Sequence, residues 1–216
     1  MTLNPETYRK NLLKYTTLAF RLLPEIEKPA ILDVGCGTGI PTIHLAEMCN
    51  GSVVGVDVDR VALEKLEAKI REKGLSSRVR AIRCPMGEMP FDDGAFDIVW
   101  AEGSVGHLGF TSALNLLRRF LKSEGFLVIH HDAVDHMNKI SAVESANFML
   151  RGFFVLSESV WWNDYYKHLE AELTKAASAE PPFELSSLRE EVEQFKRDPQ
   201  NFRSAFFIMQ KQRRPA

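Results

Sequence analysis

The sequence predicts an α/β fold in which a doubly wound, mostly parallel seven-stranded sheet carries helices on both faces and has an antiparallel edge strand. Short apolar runs rich in β-branched residues alternate with amphipathic segments of about 10–15 residues, the pattern of strand–helix–strand units. The runs are apolar throughout, as in strands that are buried on both faces. The last two strand candidates break the alternation, which is typical of an antiparallel edge.

The length of the chain favours one domain, because 216 residues suffice for one full hydrophobic core. We expect a single domain over 1–216. Within it, 1–28 would form an N-terminal helical cap and 161–200 a helical insertion before the last strand.

The first part of the chain alternates regularly between helix and strand. Apolar residues at helical spacing predict a first helix that Pro24 ends, and Gly74 marks the end of a later one. Helices are expected at 8–22, 40–48, 60–73 and 111–122, and strands at 30–34, 53–58, 78–84, 95–102 and, after a turn, within 123–132.

The second part of the chain is less regular. The pattern indicates a helix, a strand-like run and a second helix, then a loop, a charged exposed helix and a final strand. These segments are expected at 139–152, 153–162, 163–178, 179–187, 188–196 and 204–212 respectively.

Composition excludes several classes of partner. Lys and Arg number 27 against 29 Asp and Glu, so nothing predicts a nucleic-acid partner. The longest uncharged run, 103–117, has 15 residues and is too short to span a bilayer. The three cysteines form neither zinc-ligand spacing nor a disulfide framework, and the N-terminus lacks the pattern of a secretory signal. We therefore expect a cytoplasmic protein.

The stretch "ILDVGCGTGIPTIHLAE" at 31–47 indicates a ligand site. An apolar strand carries Asp33 near its end, and Gly35, Gly37 and Gly39 then precede a helix. In open α/β sheets, ligands bind beyond the carboxyl ends of the strands, and glycines let a ligand approach the backbone. A purely structural turn is the alternative. A nicotinamide-dinucleotide site is opposed by Ile40, which stands where that motif needs a small residue.

A second acid, Asp57, ends the next strand 22 residues after Gly35, where a carboxylate can accept both hydroxyls of a ribose. Its alternative role is to cap the following helix. Asp59 is better placed for that cap, which leaves Asp57 for the sugar.

The pattern D-x-G-x-G-x-G resembles the first motif of the class I, seven-stranded and Rossmann-like S-adenosylmethionine-dependent methyltransferases. The segment "MGEMPFDDGAFDIVWAEG" at 86–103 looks like the part of these enzymes that passes the adenine and runs up the fourth strand. The resemblance covers about residues 30–131. The stretches "WAEGSVGHLGF" at 100–110 and "GFFVLSESVWWNDYYKHLE" at 152–170 are similar to the small-molecule methyltransferases of the ubiquinone/menaquinone-biosynthesis-like type.

The resemblance implies S-adenosylmethionine as the cofactor and S-adenosylhomocysteine as the product. Asp33 would orient the amino end of the methionine, and Asp57 would bind the ribose. Where the family commonly has an adenine-binding Asp, this chain has Pro85, and the amides of Met86 and Gly87 would serve instead. The remaining implied contacts are backbone lining of the methionine by Gly35, Cys36 and Gly37, a sandwich of the adenine by Val58 and Met86, and contact with the methionine end and the acceptor by Ala101 and Glu102.

The acceptor is expected to be a small molecule, because "AEGSVG" replaces the Asn/Asp-Pro-Pro-aromatic motif of enzymes that methylate base amines or glutamine. Methyl transfer mainly needs alignment, exclusion of water and, for some acceptors, removal of a proton. His107 and Glu102 are the candidate catalytic residues. A surface loop position is the alternative for His107. His130, His131, Asp132 and His136 predict no metal site, since consecutive strand residues point to opposite faces.

The aromatic residues Trp161, Trp162, Tyr165 and Tyr166 have two interpretations. They could enclose an acceptor or pack in the core, and we expect at least one ring on the Trp162/Tyr166 side to reach the cleft opposite His107. The alternative to an enzyme is a non-catalytic S-adenosylmethionine-binding protein that acts as a sensor or scaffold. A monomer or a homodimer is expected.

Overall fold

The computed structural model describes residues 5–175 and 183–213, and it forms one seven-stranded sheet. The strands are β1 (Ala30–Val34), β2 (Ser52–Asp57), β3 (Val79–Arg83), β4 (Phe96–Glu102), β5 (Leu121–Asp132), β6 (Phe148–Leu156) and β7 (Ser204–Lys211). Their order is β3-β2-β1-β4-β5-β7-β6. The first five strands pair in parallel, whereas β7 runs antiparallel to both β5 and β6. The predicted mixed sheet with an antiparallel edge is confirmed.

The helices connect and cover the strands. They are α1 (Glu6–Arg9), α2 (Leu13–Arg21), α3 (Ile40–Met48), α4 (Arg60–Glu72), α5 (Phe110–Leu117), α6 (His136–Ser145), α7 (Glu158–Trp161), α8 (Lys167–Lys175) and α9 (Phe183–Arg197). A π-helical turn, Trp162–Tyr166, joins α7 to α8. The carboxylate of Asp59 accepts hydrogen bonds from the amides of Val61 and Ala62 and so caps α4, as predicted.

The sheet has a hydrophobic core on each face because neighbouring strand residues point in opposite directions. Ile31 packs on one face with α2, α3 and α4, and Leu32 packs on the other face with α5 and α6. Trp100 and Ala101 divide in the same way along β4. The loops at the carboxyl ends of the parallel strands therefore lie between two rigid layers.

A third hydrophobic cluster lies outside the sheet and joins the N-terminal segment to the helices that precede β7. Tyr165, Tyr166, Leu169 and Leu173 pack there against Val192 and Phe195 of α9, with Tyr8 and Leu12 from the N-terminal segment at its margin. Because it unites α8, α9 and the N-terminal segment, this cluster forms a roof at the carboxyl ends of the strands.

The second part of the chain departs most from the expected boundaries. The helix expected to continue to residue 152 ends at Ser145, because Asn147 adopts a left-handed φ of 56° and the following residues pair with β7. The helix expected at 188–196 begins at Phe183 and is not simply exposed, since Val192 and Phe195 are buried. Residues 1–4 of the expected cap and 176–182, which overlap the expected helix and loop, lie outside the described residues.

Within 5–175 and 183–213, no helix combines the length and the apolar character that crossing a bilayer requires.

Gly39 should be far less tolerant of a side chain than Gly74, although both have positive φ, 80° and 67°. A Cβ at Gly39 would overlap Leu66 Cδ1 and stand 3.0 Å from its Cγ, whereas Gly74 has open space. We expect Gly74→Ala to lower the free energy of unfolding by about 1–2 kcal/mol, the cost of the left-handed backbone. Gly39→Ala should lose about 1–3 kcal/mol more through overpacking. Urea unfolding measures both, and equal losses would contradict the packing of α3 on α4.

Candidate active site

The glycine loop, residues 35–39, is held against the end of β2. The amides of Gly35 and Cys36 donate to the Val56 carbonyl at 2.8 and 3.0 Å. The Gly37 amide donates to Asp57 Oδ2 at 2.7 Å. Because β1 and β2 are parallel neighbours, these bonds place the loop directly above the carboxyl ends of both strands.

The two glycines that face the cleft differ in what surrounds them. A Cβ on Gly35 would overlap Ser104 Cβ, and the Ser104 hydroxyl donates to the Val34 carbonyl at 2.5 Å. A Cβ on Gly37 would meet nothing within 4 Å. Gly35 is therefore required by packing, whereas Gly37 leaves bare backbone facing open space.

Two adjoining cavities share the loop. The central cavity has a volume of about 330 Å³ and is lined, among others, by Asp33, Gly37, Glu102, His130, Trp161 and Tyr165. The outer cavity has a volume of about 280 Å³ and is lined, among others, by Asp57, Val58, Cys84, Met86, Ser104 and His107. Gly35 and Gly103 line both, so the two cavities form one cleft across the carboxyl ends of β1, β2 and β4.

Asp33 is a buried acid at the floor of the central cavity, with 1% of its surface exposed. Burial raises its pKa to about 7, against the hydrogen bond from Thr42 Oγ1, and the charges of Glu102 and Asp57 raise it further. Near neutrality this carboxyl is divided between its two protonation states. A cationic ligand group would favour the ionised state.

Glu102, the last residue of β4, lies in the same cavity. It accepts hydrogen bonds from Trp100 Nε1 at 2.9 Å and from the Thr16 hydroxyl at 3.1 Å. Burial raises the pKa of Glu102 to about 7, although both donors act in the opposite direction. Two carboxyls that titrate near neutrality therefore line one cavity, and such perturbed acids are typical of functional sites.

The side chain of Cys36 is a small neutral group that fills space in the core. Its side chain is buried and lies against Gly55, where a Cβ would stand 2.9 Å from the Cys36 sulfur. Burial, followed by the charges of Asp33 and Asp57, raises the pKa of this thiol far above neutrality. A thiol in that state is a poor nucleophile.

The sequence and the fold agree with what is known of other proteins. A family model described as a methyltransferase domain matches residues 31–125. Methyltransferase GfsG of Streptomyces halstedii is 31% identical over 128 residues, which are 59% of this chain and 45% of that relative.

Two solved structures share the fold. The [4+2]-cyclase SpnF superimposes with a TM-score of 0.77 at 22% identity, covering 92% of this chain and 80% of that one. An S-adenosylmethionine-dependent methyltransferase of Thiobacillus denitrificans, in complex with S-adenosylhomocysteine, gives a TM-score of 0.70 at 15% identity over 93% and 90%. These likenesses show the fold alone.

This chain therefore resembles methyltransferases over residues 31–125, as the glycine motif predicts. It spans less than half the length of the Streptomyces relative. The residues of the loop fit S-adenosylmethionine, because Gly37 leaves the backbone open beside the buried carboxyl of Asp33, which lacks a cationic partner among the described residues.

The outer cavity brings together several of the residues predicted to bind the cofactor. Val58 is 57% exposed and lines the cavity with Met86 and Asp57, as an adenine sandwich next to a ribose site requires. The Asp57 carboxylate already accepts from the amides of Gly37 and Asp59, and each oxygen keeps a further lone pair. Gly87 belongs to the same turn as Met86 but does not line the cavity.

The side chains of three predicted site residues do not line the central cavity. Ala101 is fully buried in the core beside α5, because it points to the face of β4 opposite Glu102, and its side chain lines neither cavity. His107 is exposed and lines the outer cavity, away from the central one. Trp162 stacks on Phe195 and does not line the central cavity, whereas Tyr166 does, so only part of the expected aromatic side reaches the cleft.

His130 is a histidine of the central cavity that the sequence did not single out as a site residue. It lines the central cavity, and its Nε2 lies 2.8 Å from the Ser204 hydroxyl, which also accepts from Trp161 Nε1 at 3.0 Å. Burial lowers the pKa of His130 to about 4, so the ring is neutral at physiological pH. Its position at the end of β5 was visible in the sequence, but only as a candidate metal ligand. Within the described part of the chain, no three His, Cys, Asp or Glu side chains group to hold a metal.

Asp33→Asn should stabilise the cofactor-free protein above neutrality. The folded-state pKa of about 7 exceeds the ordinary 3.8, so Asp33 lowers stability as the pH rises from about 4 to 7. The variant loses that penalty, and its free energy of unfolding at pH 8 should exceed that of the parent, on the order of a few kcal/mol. Urea unfolding at pH 5 and pH 8 measures the difference.

The exposed Asp92 supplies the matched control, since Asp92→Asn removes the same charge from the surface and should leave the profile unchanged. A parent and an Asp33→Asn variant with the same pH dependence would contradict the buried, uncompensated state of Asp33.

Proposed function

We propose that the chain transfers a methyl group from S-adenosylmethionine to a small-molecule acceptor. The observation that carries the proposal is the extent of the central cavity, which continues from Asp33 and the glycine loop to Trp161, Tyr165 and His130. A binding protein without turnover needs no space beyond the reactive end of its ligand. Here that space exists and has polar groups in its walls, which favours the enzyme over the sensor or scaffold.

The proposed binding mode spans both cavities. The amino end of the methionine would meet Asp33, the backbone of Gly35, Cys36 and Gly37 would line the methionine chain, and Asp57 would accept from the ribose hydroxyls. The adenine would lie between Val58 and Met86. Pro85 stands where the family commonly has an adenine-binding Asp, and the amides of Met86 and Gly87 would make that contact instead.

The chain's own part in the reaction is to align the acceptor and to receive a proton where one is released. When bound, S-adenosylmethionine supplies an electrophilic methyl group, and its sulfonium sulfur is the leaving group opposite the attacking atom. Glu102 lines the cavity with a pKa of about 7, so its carboxylate can take up a proton near neutrality. His107 is less suited to this role because it lines the outer cavity.

The proposed setting is a cytoplasmic monomer or homodimer that acts on neither nucleic acid nor membrane. The net charge of −2 supports a small metabolite rather than a polyanion as the acceptor. The free thiols of Cys36, Cys49 and Cys84 support a reducing compartment.

We further propose that the N-terminal helices cap the bound cofactor. Thr16 of α2 bonds Glu102 at 3.1 Å, and Tyr15 bonds Asp164 of the π-helical turn at 2.9 Å. Glu6 of α1 pairs with Lys69 at 2.7 Å, and the Lys69 ammonium also donates to the Thr38 carbonyl in the glycine loop. These bonds tie the N-terminal segment to the loop, to β4 and to the roof at once. Closure of such a segment excludes water from the reacting atoms.

Asp57→Ala should weaken the binding of S-adenosylhomocysteine by about 1.5–3 kcal/mol, because hydrogen bonds to a charged group are lost. Isothermal titration calorimetry measures the change, and a thermal melt shows whether the variant, which also loses a contact to the Gly37 amide, is folded. Tight binding of NAD, or none of S-adenosylhomocysteine by the parent, would overturn the assignment of the cofactor.

Hydrogen exchange should slow in residues 5–23 when S-adenosylhomocysteine is added. Residues 6–12 of the cap include no buried side chain, so a ligand beneath the cap should lower the frequency of its opening. Helix α6 packs beside α5 on the other face of the sheet and serves as the internal control, since its exchange should change little. Identical exchange of 5–23 in both states would remove the capping role.

A further inference from the structure

We propose that the acceptor is a small carboxylic acid with a flat apolar body, whose carboxylate binds between the guanidinium of Arg9 and the hydroxyl of Tyr165. This inference rests on the proposed function and names the class of acceptor that the central cavity would take. It is carried by an unsatisfied buried donor and a neighbouring cation in the wall of the same cavity.

The unsatisfied donor is the hydroxyl of Tyr165. The residue is 1% exposed and lines the central cavity, and its hydroxyl oxygen is buried without a hydrogen-bond partner among the described residues. A buried hydroxyl left in this state costs free energy that a ligand can recover. The neighbouring Tyr166 differs, since its hydroxyl donates to Glu191 Oε1 at 2.9 Å.

The cation is Arg9 of α1. Its Cζ stands 5.6 Å from the centroid of the Tyr165 ring, and its guanidinium makes no ion pair or hydrogen bond with any other residue that the structure describes. Burial raises the pKa of the Tyr165 phenol, and the charge of Arg9 and a hydrogen-bonding contact from its side chain partly offset that rise. Because a guanidinium can only donate, the O–H of Tyr165 is still left without an acceptor. Arg9 lines the cavity as well. A planar guanidinium and a hydroxyl at one place match the acceptor oxygens of a carboxylate.

The other charges of the cavity favour a carboxylate over a phosphate. Asp33, Glu102 and Glu191 line the same space as Arg9. A singly charged carboxylate is balanced by the one guanidinium. A dianionic phosphate would leave an uncompensated negative charge close to three acids, which is unfavourable at short range.

The body of the acceptor would lie along a row of aromatic rings. His130 stacks on Phe206 at 4.4 Å and 18°, and it is nearly parallel to Trp161 at 6.2 Å and 19°. All three residues line the cavity, and Ser204 fixes both the imidazole and the indole by hydrogen bonds. A rigid row of rings favours a flat apolar partner. The volume of about 330 Å³ must also hold the methionine end of the cofactor, so this partner is small.

Calorimetric titrations with paired probes test the proposal. Benzoate and phenylacetate are compared with benzamide and phenylacetamide, which have the same shapes without the charge, and with phenyl phosphate. Each is titrated into protein saturated with S-adenosylhomocysteine and into cofactor-free protein. We expect each acid to bind at least roughly tenfold more tightly than its amide, as a charge-assisted hydrogen bond of about 1.4 kcal/mol or more provides.

Two variants locate the effect. Arg9→Gln and Tyr165→Phe should each abolish the preference for the acid while leaving the affinity for S-adenosylhomocysteine within about twofold. Lys10→Gln removes one exposed charge next to Arg9 and is the matched control, which should keep the preference. Tyr165→Phe should leave the melting temperature unchanged or raise it, because it removes a buried hydroxyl that has no partner in the described residues.

The outcomes separate the two proposals. Failure to bind S-adenosylhomocysteine overturns the proposed function, and the acid–amide comparison on cofactor-free protein then still decides whether Arg9 and Tyr165 bind a carboxylate. When S-adenosylhomocysteine binds normally, three results would each overturn the carboxylate site alone. These are equal binding of acids and amides, tighter binding of phenyl phosphate than of benzoate, and a Lys10→Gln variant that acts like Arg9→Gln.

Discussion

The hydrogen bonds between the end of β2 and the glycine loop are the interaction on which the rest of the site depends. The Val56 carbonyl and the Asp57 carboxylate accept three successive amides, from Gly35, Cys36 and Gly37. They turn the chain sharply after β1, so that Asp33 stays buried beneath the loop and α3 starts beside it. The same carboxylate that would bind the ribose therefore also holds the backbone that would line the methionine, which makes the cofactor site and the fold of this corner inseparable.

Electrostatics divide the cleft into two ends. Asp33 and Glu102 occupy the floor, where burial leaves both partly protonated near neutrality. Arg9 and the Tyr165 hydroxyl occupy the wall formed by the N-terminal segment and the roof. A positively charged cofactor end would be balanced by the two acids of the floor. A negatively charged acceptor end would be balanced by Arg9 and would accept a hydrogen bond from the Tyr165 hydroxyl. Such preorganised charges can orient two reactants without moving during the reaction.

The roof unites parts of the chain that are distant in sequence. The Asp164 carboxylate accepts hydrogen bonds from the Lys14 ammonium and the Tyr15 hydroxyl. The side-chain amide of Asn11 donates to the backbone carbonyl of Asp164. The π-helical turn at Trp162–Tyr166 widens the helix at this point and presents Tyr165 and Tyr166 to the cavity while Trp162 packs on Phe195. Turns of this kind often occur at functional sites. The proposed substrate contacts and the proposed closure of the cap would thus share one small set of residues.

The sequence by itself determined the parts that depend on local pattern: β1, the glycine loop, α3, the Asp59 cap and the acids that end β1 and β2, because strand period, glycine spacing and helix capping act over a few residues. It missed the side of β4 on which Ala101 lies, the separation of His107 from His130, and the extent of β6. Only the tertiary structure decided that Arg9 meets Tyr165 and that Trp162 turns away. The reason is physical. Arg9 and Tyr165 lie 156 residues apart in the chain, and a π-helical turn shifts the face on which each ring of 162–166 lies, so no local period could reveal these placements.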